Sequence, residues 1–432
     1  MSDHWQQIYR HLHANPELSG AEYATAALVA QELRSMPGWE VTDHVGGTGV
    51  VAVLHGAPGP VIWLRADMDA LPVQEQTDLD YASTVSGVMH ACGHDLHVVA
   101  LLAACAELAT TDNVAGTVVA IFQPAEETGA GARGMLHDGL LERFPPPGIC
   151  LGQHVTPLPA GLITTRGGPL MAASDSIRVQ LSGVGGHASN PHLAIDPLLM
   201  AASLVLRLQT LTAQQAAIPA SAVLTAGSLR AGTRANIIAE TAEVLLSLRT
   251  FTPDSRRRML AGIERMAAAE AQAAGAPQAP VVEVYNSFPL TINTPDDTER
   301  VMAELVAGGL SVLALPNPVT ASEDFGLLAT AAGCPSVFWH IGGADPALYR
   351  TEDQSAVLVG GTLPPWIPTN HSPRFAPDPT AALPRAVTAL VSAARAELEF
   401  GTVHPADNGH PTVRHLDNAI TSTATTSSQF AR

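Results

Sequence analysis

A chain of 432 residues is too long for one small core, so two domains are expected. With 46% hydrophobic and 14% charged residues, 36 Gly and 33 Pro, it is a well-buried, turn-rich globular chain and not a disordered or fibrous one. The formal charge of -18, from 22 Lys and Arg against 40 Asp and Glu, repels phosphate backbones and argues against a nucleic-acid partner.

The opening Met1-Ser2-Asp3-His4-Trp5 leads straight into polar, amphipathic sequence, without the basic and then apolar run of a secretory signal. The Ala/Leu-rich stretch 98–108 falls short of a membrane span. Cys92, Cys105, Cys150 and Cys334 show no framework spacing, so reduced thiols in the cytoplasm are expected, the last three as small buried hydrophobes. In chain order, 3–14 and 22–36 read as helices, with Leu28 and Leu33 available for packing. Short β-branched runs at 50–54 and 61–64 read as buried strands. A helix at 96–108 follows Gly93, and strands follow at 116–122 and 149–153. This alternation implies an α/β fold with a largely parallel sheet covered by helices on both faces.

The middle changes character. Residues 176–182 alternate as a half-buried strand, and a helix opens with Asp196 as N-cap and Pro197 at its first position. Strands at 222–229 and 237–248, a helix at 254–274 and a strand at 281–285 complete a β-α-β-β-α-β order, the ferredoxin-like pattern. The expected division is a catalytic domain of 1–176 and 287–401 with an inserted domain at 177–286. The catalytic part resumes with a helix from Pro295, a strand near Val337 and a final helix after Pro384 that places Val387, Leu390, Val391, Ala394 and Leu398 on one face. Residues 402–432, Thr/Ser-rich and aperiodic, read as a disordered tail.

Five clusters gather His, Cys, Asp and Glu beyond apolar strands or in loops: Arg65-Ala66-Asp67-Met68-Asp69, His90 to His97, Gln123-Pro124-Ala125-Glu126-Glu127, Gln153-His154, and Asn370-His371-Ser372-Pro373. In open α/β sheets, sites form outside the carboxyl ends of strands, where several of these fall. Each alone has a bland reading: a structural His, a solvated Glu-Glu helix start, a capping Asp. Their joint occurrence at strand ends is what points to chemistry.

These clusters, together with His13-Ala14-Asn15-Pro16-Glu17-Leu18-Ser19, Gly185-Gly186-His187-Ala188, Asn236-Ile237-Ile238, Arg249-Thr250-Phe251 and Ser322-Glu323-Asp324-Phe325, resemble the M20 metallopeptidase superfamily in order and spacing. The resemblance is to the amidohydrolase branch that includes hippurate hydrolase and N-acyl amino acid amidohydrolases. It implies hydrolysis of linear amides by a hydroxide held between two divalent ions (Mn, Zn, Co or Ni), with Cys92, His94, Glu127, His154 and His371 as ligands and Cys92 as bridge. Glu126 is implied as general base and acid, Asp69 as the partner that orients His94, and His187 as oxyanion donor to a partner subunit. Asn236 and Arg249 are candidates for binding substrate, although a structural salt bridge is nearly as good a reading of Arg249. Asp67 is assigned only the shaping of its turn and Asp95 only a cap. The implied partners are a small N-acyl amino acid or conjugate and a second copy of the chain, joined through the inserted domain. Two competing readings stand beside it: a metal-free thiol amidase with Cys92 as nucleophile, and a non-catalytic binding protein on the same scaffold.

Overall fold

A computed structural model describes residues 2–110, 115–215, 222–349 and 363–403. An eight-stranded mixed sheet forms the larger unit. Its strands run, in spatial order, Trp39–Val45, Gly49–His55, Ala115–Gln123, Ala57–Asp67, Ile149–Pro159, Ser336–Ala344, Leu162–Thr165 and Ser311–Ala314. The strands from Ala115–Gln123 to Ser336–Ala344 are mutually parallel, and antiparallel neighbours flank them.

The reason these strands read as continuous apolar runs is that both faces are covered. Along Ala115–Gln123, Val118, Ala120 and Phe122 enter one core while Val119 and Ile121 enter the other. The helix His94–Ala109 is buried on almost every side, and with the helices Asp3–Ala14, Tyr23–Ser35 and Pro379–Val403 it builds the larger core. Short helices Gly131–His137 and Gly326–Ala332 cover the opposite face.

The second unit is a four-stranded antiparallel sheet ordered Ala222–Ala231, Thr241–Thr250, Ala173–Ser182, Val281–Phe288. Helices Pro197–Gln215 and Pro253–Ala274 pack on it around Leu204, Leu208, Met259 and Ile263. This is the ferredoxin-like connectivity expected from the sequence. Thr252 caps the second helix by accepting from Ser255 N at 3.1 Å, ahead of Pro253 at the first position.

Several boundaries differ from expectation. The strand expected to stop at 64 runs to Asp67, and the one expected to stop at 153 continues through His154 to Pro159. The strand expected at 237–248 is two pieces: Ile237–Ile238 pairs with Gly186–His187, and Thr241–Thr250 joins the main small sheet. The last helix begins at Pro379 and not after Pro384. Asp378 accepts from Thr380 N at 2.9 Å to start it, and burial of Ala382 and Leu383 outweighs the hydrogen bond that Pro384 forfeits. That helix reaches Val403, past the expected start of the tail, and 404–432 lie outside the described residues.

Candidate functional site

Neighbouring parallel strands deliver the expected clusters to one rim. Ala57–Asp67 ends in Asp67 with Asp69 just beyond, Ala115–Gln123 runs into Glu126 and Glu127, and Ile149–Pro159 carries His154. His94 and His97 come from the first turn of the helix His94–Ala109 and Cys92 from the loop before it. Between them Gly93 has φ +83°, and a Cβ there would meet Val155 Cγ1 at 2.5 Å, so only glycine lets this loop close against the His154 strand. His371 joins from the far end of the chain, where its N–H donates to Ala91 O at 2.8 Å.

The five expected ligands converge. Cys92 Sγ is 3.4 Å from His154 Nε2, and Glu127 Oε1 is 3.8 Å from His94 Nε2 and 3.5 Å from His371 Nε2. Glu126 shares the pocket, with ligand-type atoms of His94, Glu126 and Glu127 all within 4.8 Å of one another. His94 Nδ1 faces only acceptors, Asp69 O at 2.9 Å and Asp69 Oδ1 at 3.2 Å, which fixes its hydrogen there and leaves the Nε2 lone pair pointing inward. That Nε2 and Glu127 Oε1 are both buried with no hydrogen-bond partner among the described residues. Orphaned buried groups of this kind cost about 1–3 kcal/mol each, and a divalent cation satisfies both at once. Imidazole, carboxylate and thiol donors fit such an ion.

The surroundings hold the donors still. Asp69 Oδ2 accepts from Glu127 N at 3.0 Å and Ser19 Oγ at 2.6 Å, so one carboxylate orients both His94 and Glu127. Asn370 Nδ2 reaches the Cys92 carbonyl at 3.2 Å and the Val155 carbonyl at 3.1 Å, tying the cysteine loop to the His154 strand. Asp67 does more than shape a turn. It is fully buried, with Arg65 Nη1 at 2.7 Å, His97 Nδ1 at 2.5 Å and His94 Nε2 at 3.7 Å. His97 spends its other nitrogen accepting from Val155 N at 2.7 Å, so both ring nitrogens are engaged and His97 supports the site without a free lone pair for metal. Arg65 also donates to Gln123 at 2.9 Å, Glu323 at 2.9 Å and Asp324 at 3.0 Å. None of Arg65, His97, Glu323, Asp324 or Asn370 had been given a role from sequence.

The electrostatics show a site short of positive charge. Burial disfavours a charged His94, yet Asp67, Cys92 and Asp69 hold its pKa well above the ordinary value. Burial, then Glu323, Asp324 and Glu127, push the Glu126 carboxyl well above the usual carboxylate range. Burial and Glu127 push the Cys92 thiol up to about 12. A bound cation would oppose all three, drawing the Glu126 and Cys92 pKa values down and expelling the proton from His94.

The remaining expected residues lie elsewhere. His187 is exposed on the small unit, its Nδ1 2.7 Å from Ser189 Oγ, and exposed Asn236 accepts from Ala188 N at 3.0 Å in the same loop pair. Arg249 spends Nη1 on Ser322 Oγ at 2.7 Å and the Thr320 carbonyl at 3.0 Å, pinning the small sheet to the larger unit. Asp95 is more than a cap: besides accepting from Leu96 N, its carboxylate is 2.6 Å from His13 Nδ1.

His13 carries a pH prediction. Burial would lower its pKa, but Asp95 and Glu75 raise it to about 9 from 6.5. The ion pair therefore stabilises the fold fully below about pH 6.5 and loses that contribution as pH rises through about 9. Urea unfolding of metal-loaded protein is expected to show stability declining over this window by at most about 3 kcal/mol, and His13→Gln to flatten the decline. An unchanged slope in the variant would refute the assignment.

Comparison with known proteins agrees with this geometry. A family model described as peptidase family M20/M25/M40 matches residues 63–356. The chain is 36% identical over 378 residues to thermostable carboxypeptidase 2 of Saccharolobus solfataricus, covering 86% of this chain and 90% of that one. It is 37% identical over 342 residues to hippurate hydrolase of Campylobacter jejuni, covering 77% and 87%. The crystal structure of the Bacillus subtilis YXEP protein, described as a dinuclear metal binding peptidase, superposes with a TM-score of 0.73 at 30% identity, covering 92% and 98%.

Proposed function

The chain belongs to peptidase family M20/M25/M40, and from that premise we propose that its site releases an amino acid from an N-acyl amino acid or a similar small conjugate. It is an amidohydrolase that depends on divalent metal. The observation that carries the reading is the orphaned pair, His94 Nε2 and Glu127 Oε1, buried among thiol, imidazole and carboxylate donors. A hippurate hydrolase and a carboxypeptidase both expel an amino acid from an amide, and the same leaving group is assigned here.

Cys92, His94, Glu127, His154 and His371 would hold two ions; Mn, Zn, Co and Ni all suit the set. Bound ions supply Lewis acidity and make water a nucleophile near neutral pH. Glu126 takes the proton from the attacking water and passes it to the departing amine. Its burial beside Glu323 and Asp324 raises its proton affinity and so offsets the pull of the ions, which suits it to carry that proton between the two steps. Asp69 keeps His94 and Glu127 aimed inward.

The metal-free thiol amidase fares worse. A thiol held at about 12 is scarcely ionised at neutral pH, and burial pushes its neighbour His154 well below the ordinary value, which makes it a poor base. The binding-protein reading is weakened by a ligand set and base that are all present. Chelation and dialysis are expected to abolish hydrolysis across a panel of hippurate, N-acetyl amino acids and acyl-diaminopimelate, and re-addition of Mn or Zn to restore it. Full activity in the metal-stripped protein would remove the mechanism.

We assign the functional division to 1–176 and 287–401 for catalysis and 177–286 for pairing with a second copy. Leu199 and Leu206, 68% and 73% exposed, sit seven residues apart on one helix face, and Leu193 nearby is 71% exposed. His187, on the same unit, would act as oxyanion donor in the partner's site. Co-purified heterodimers of His187→Ala and Glu126→Gln are expected to regain activity that neither parent has, since one composite site then holds both groups. A monomeric mass with full activity would overturn the pairing. Four unpaired cysteines favour a reducing compartment, the cytoplasm, for this enzyme. Among the described residues no helix is long and apolar enough to cross a membrane.

A further inference from the structure

Adjacent residues on a regular segment cannot serve one site in two roles unless the chain turns between or before them. Here the turn is at Ala125, whose φ of +49° is left-handed although it carries a Cβ. For an L residue other than glycine this conformation costs roughly 1–2 kcal/mol, so something around it must hold it. Its carbonyl accepts from Gly131 N at 3.0 Å, Ala130 N at 3.2 Å and Thr128 Oγ1 at 3.2 Å, all from the turn itself. Its N–H has a different partner. It donates at 2.8 Å to Glu22 Oε1, about a hundred residues away in the chain and fully buried.

Glu22 is built into place for this contact. It precedes the helix Tyr23–Ser35, its Oε1 also accepts from Gly20 N at 2.8 Å, and its Oε2 accepts from Thr48 Oγ1 at 2.5 Å. Glu17, also from this segment, is used differently, its two oxygens accepting from Ala24 N at 3.0 Å and Thr25 N at 2.8 Å at the start of the same helix. Glu22 is thus the carboxylate of this segment that reaches out of it, and besides Thr48 it holds the Pro124–Ala125 peptide, one residue before Glu126. With that peptide fixed from outside and Glu127 N fixed by Asp69 at 3.0 Å, the two glutamates are clamped from both sides.

We propose that Glu22 is a positioning residue for the reaction: by holding Ala125 in the left-handed conformation, it sets Glu126 as proton carrier and Glu127 as metal ligand at the same moment. This rests on the roles given to Glu126 and Glu127 above. Without Glu22, the Ala125 N–H is orphaned, the strained φ relaxes toward negative values, and both carboxylates swing. Displacements of about 1 Å at a reacting group commonly cost 10²-fold in rate.

The test uses the metal-loaded full chain, with kcat and KM measured on whichever panel amide is turned over fastest and Zn affinity by equilibrium dialysis. Glu22→Ala is expected to lower kcat by about 10²-fold with KM within threefold, and to weaken Zn binding by about tenfold or more. Glu22→Gln, which keeps an acceptor oxygen for the Ala125 N–H, is expected to retain most of both. Adding Ala125→Gly to Glu22→Ala is expected to recover at least tenfold in kcat, because glycine adopts the left-handed turn without the clamp. A residue that merely supports the fold would not be rescued at that position. If Glu22→Ala does not fold, Glu22→Asp, whose carboxylate is drawn back by one methylene, is read in the same way. A folded Glu22→Ala or Glu22→Asp with wild-type kcat and Zn affinity overturns the proposal, as does a Glu22→Ala defect that Ala125→Gly leaves untouched. Glu126→Gln run alongside separates the two ideas: an active Glu126→Gln removes the proton carrier itself, whereas an inactive one beside an unaffected Glu22→Ala removes only the part given to Glu22.

Discussion

Glu126→Gln is expected to lower kcat by about 10²- to 10⁴-fold while the loaded protein keeps its bound metal, and the metal-stripped variant is expected to melt at the same temperature as wild type or higher. The activity half follows from the proton-carrying role proposed for Glu126; an amide of the same shape cannot take the proton from water. The stability half follows from the charge around it. In the metal-free fold, burial and the neighbouring Glu323, Asp324 and Glu127 raise the Glu126 pKa well above the usual range, so the ionised carboxylate is disfavoured there and a neutral side chain relieves the repulsion. The sign is clear: a carboxyl with a raised folded pKa destabilises the protein increasingly as pH rises above its unfolded value, and glutamine removes that penalty. Activity lost together with stability gained is the signature of a residue kept for chemistry. Metal content measured on the same sample guards against a trivial cause, because Glu127 is adjacent. A variant within tenfold of wild-type kcat would take the base away from Glu126.

The sequence announced some of this and hid the rest for physical reasons. Strand ends bearing His, Asp and Glu were legible because apolar runs stop where ligand-type residues begin, and the helix at Pro197 was legible from its cap. Arg65 was not. An arginine within an apolar strand gives no local sign that it is fully buried, and two of its acceptors, on Glu323 and Asp324, lie some 258 residues further along the chain. Ala125 was silent because left-handed backbone ordinarily advertises itself as glycine, and here a distant carboxylate does the work instead. His187 stands exposed, as a donor to another subunit's site would, whereas nothing local to Asn236 announced that it lies exposed beside it. Arg249 was equally silent, because the Thr320 carbonyl and Ser322 hydroxyl that take its Nη1 lie 71 and 73 residues further along the chain.

Arg65→Met is expected to destabilise the protein by about 3–5 kcal/mol at pH 8, the usual cost of removing one member of a buried ionic cluster. Arg65 faces Asp67, Glu323, Asp324 and Gln123 with every guanidinium nitrogen engaged, and methionine fills comparable volume while leaving the carboxylates without a counter-ion. The loss should shrink as pH falls. Asp324 already sits at about 7 even with Arg65 beside it, through burial and Glu323, so removing the guanidinium raises Asp324 further and lets it protonate within the accessible range. Neutral carboxyls need no counter-ion, and urea unfolding at pH 5.5 should therefore show a markedly smaller difference from wild type than at pH 8. Arg65→Lys should fall between, because one ammonium keeps the charge but lacks the planar fork that meets four side chains at once. The cluster also reaches the metal donors: Arg65 holds Asp67, Asp67 holds His97, and His97 accepts from the peptide N–H just after His154. Arg65→Met should accordingly weaken metal binding even at pH 5.5, where its cost in stability is small. A variant that loses stability equally at both pH values, with metal affinity untouched, would show Arg65 to be packing alone.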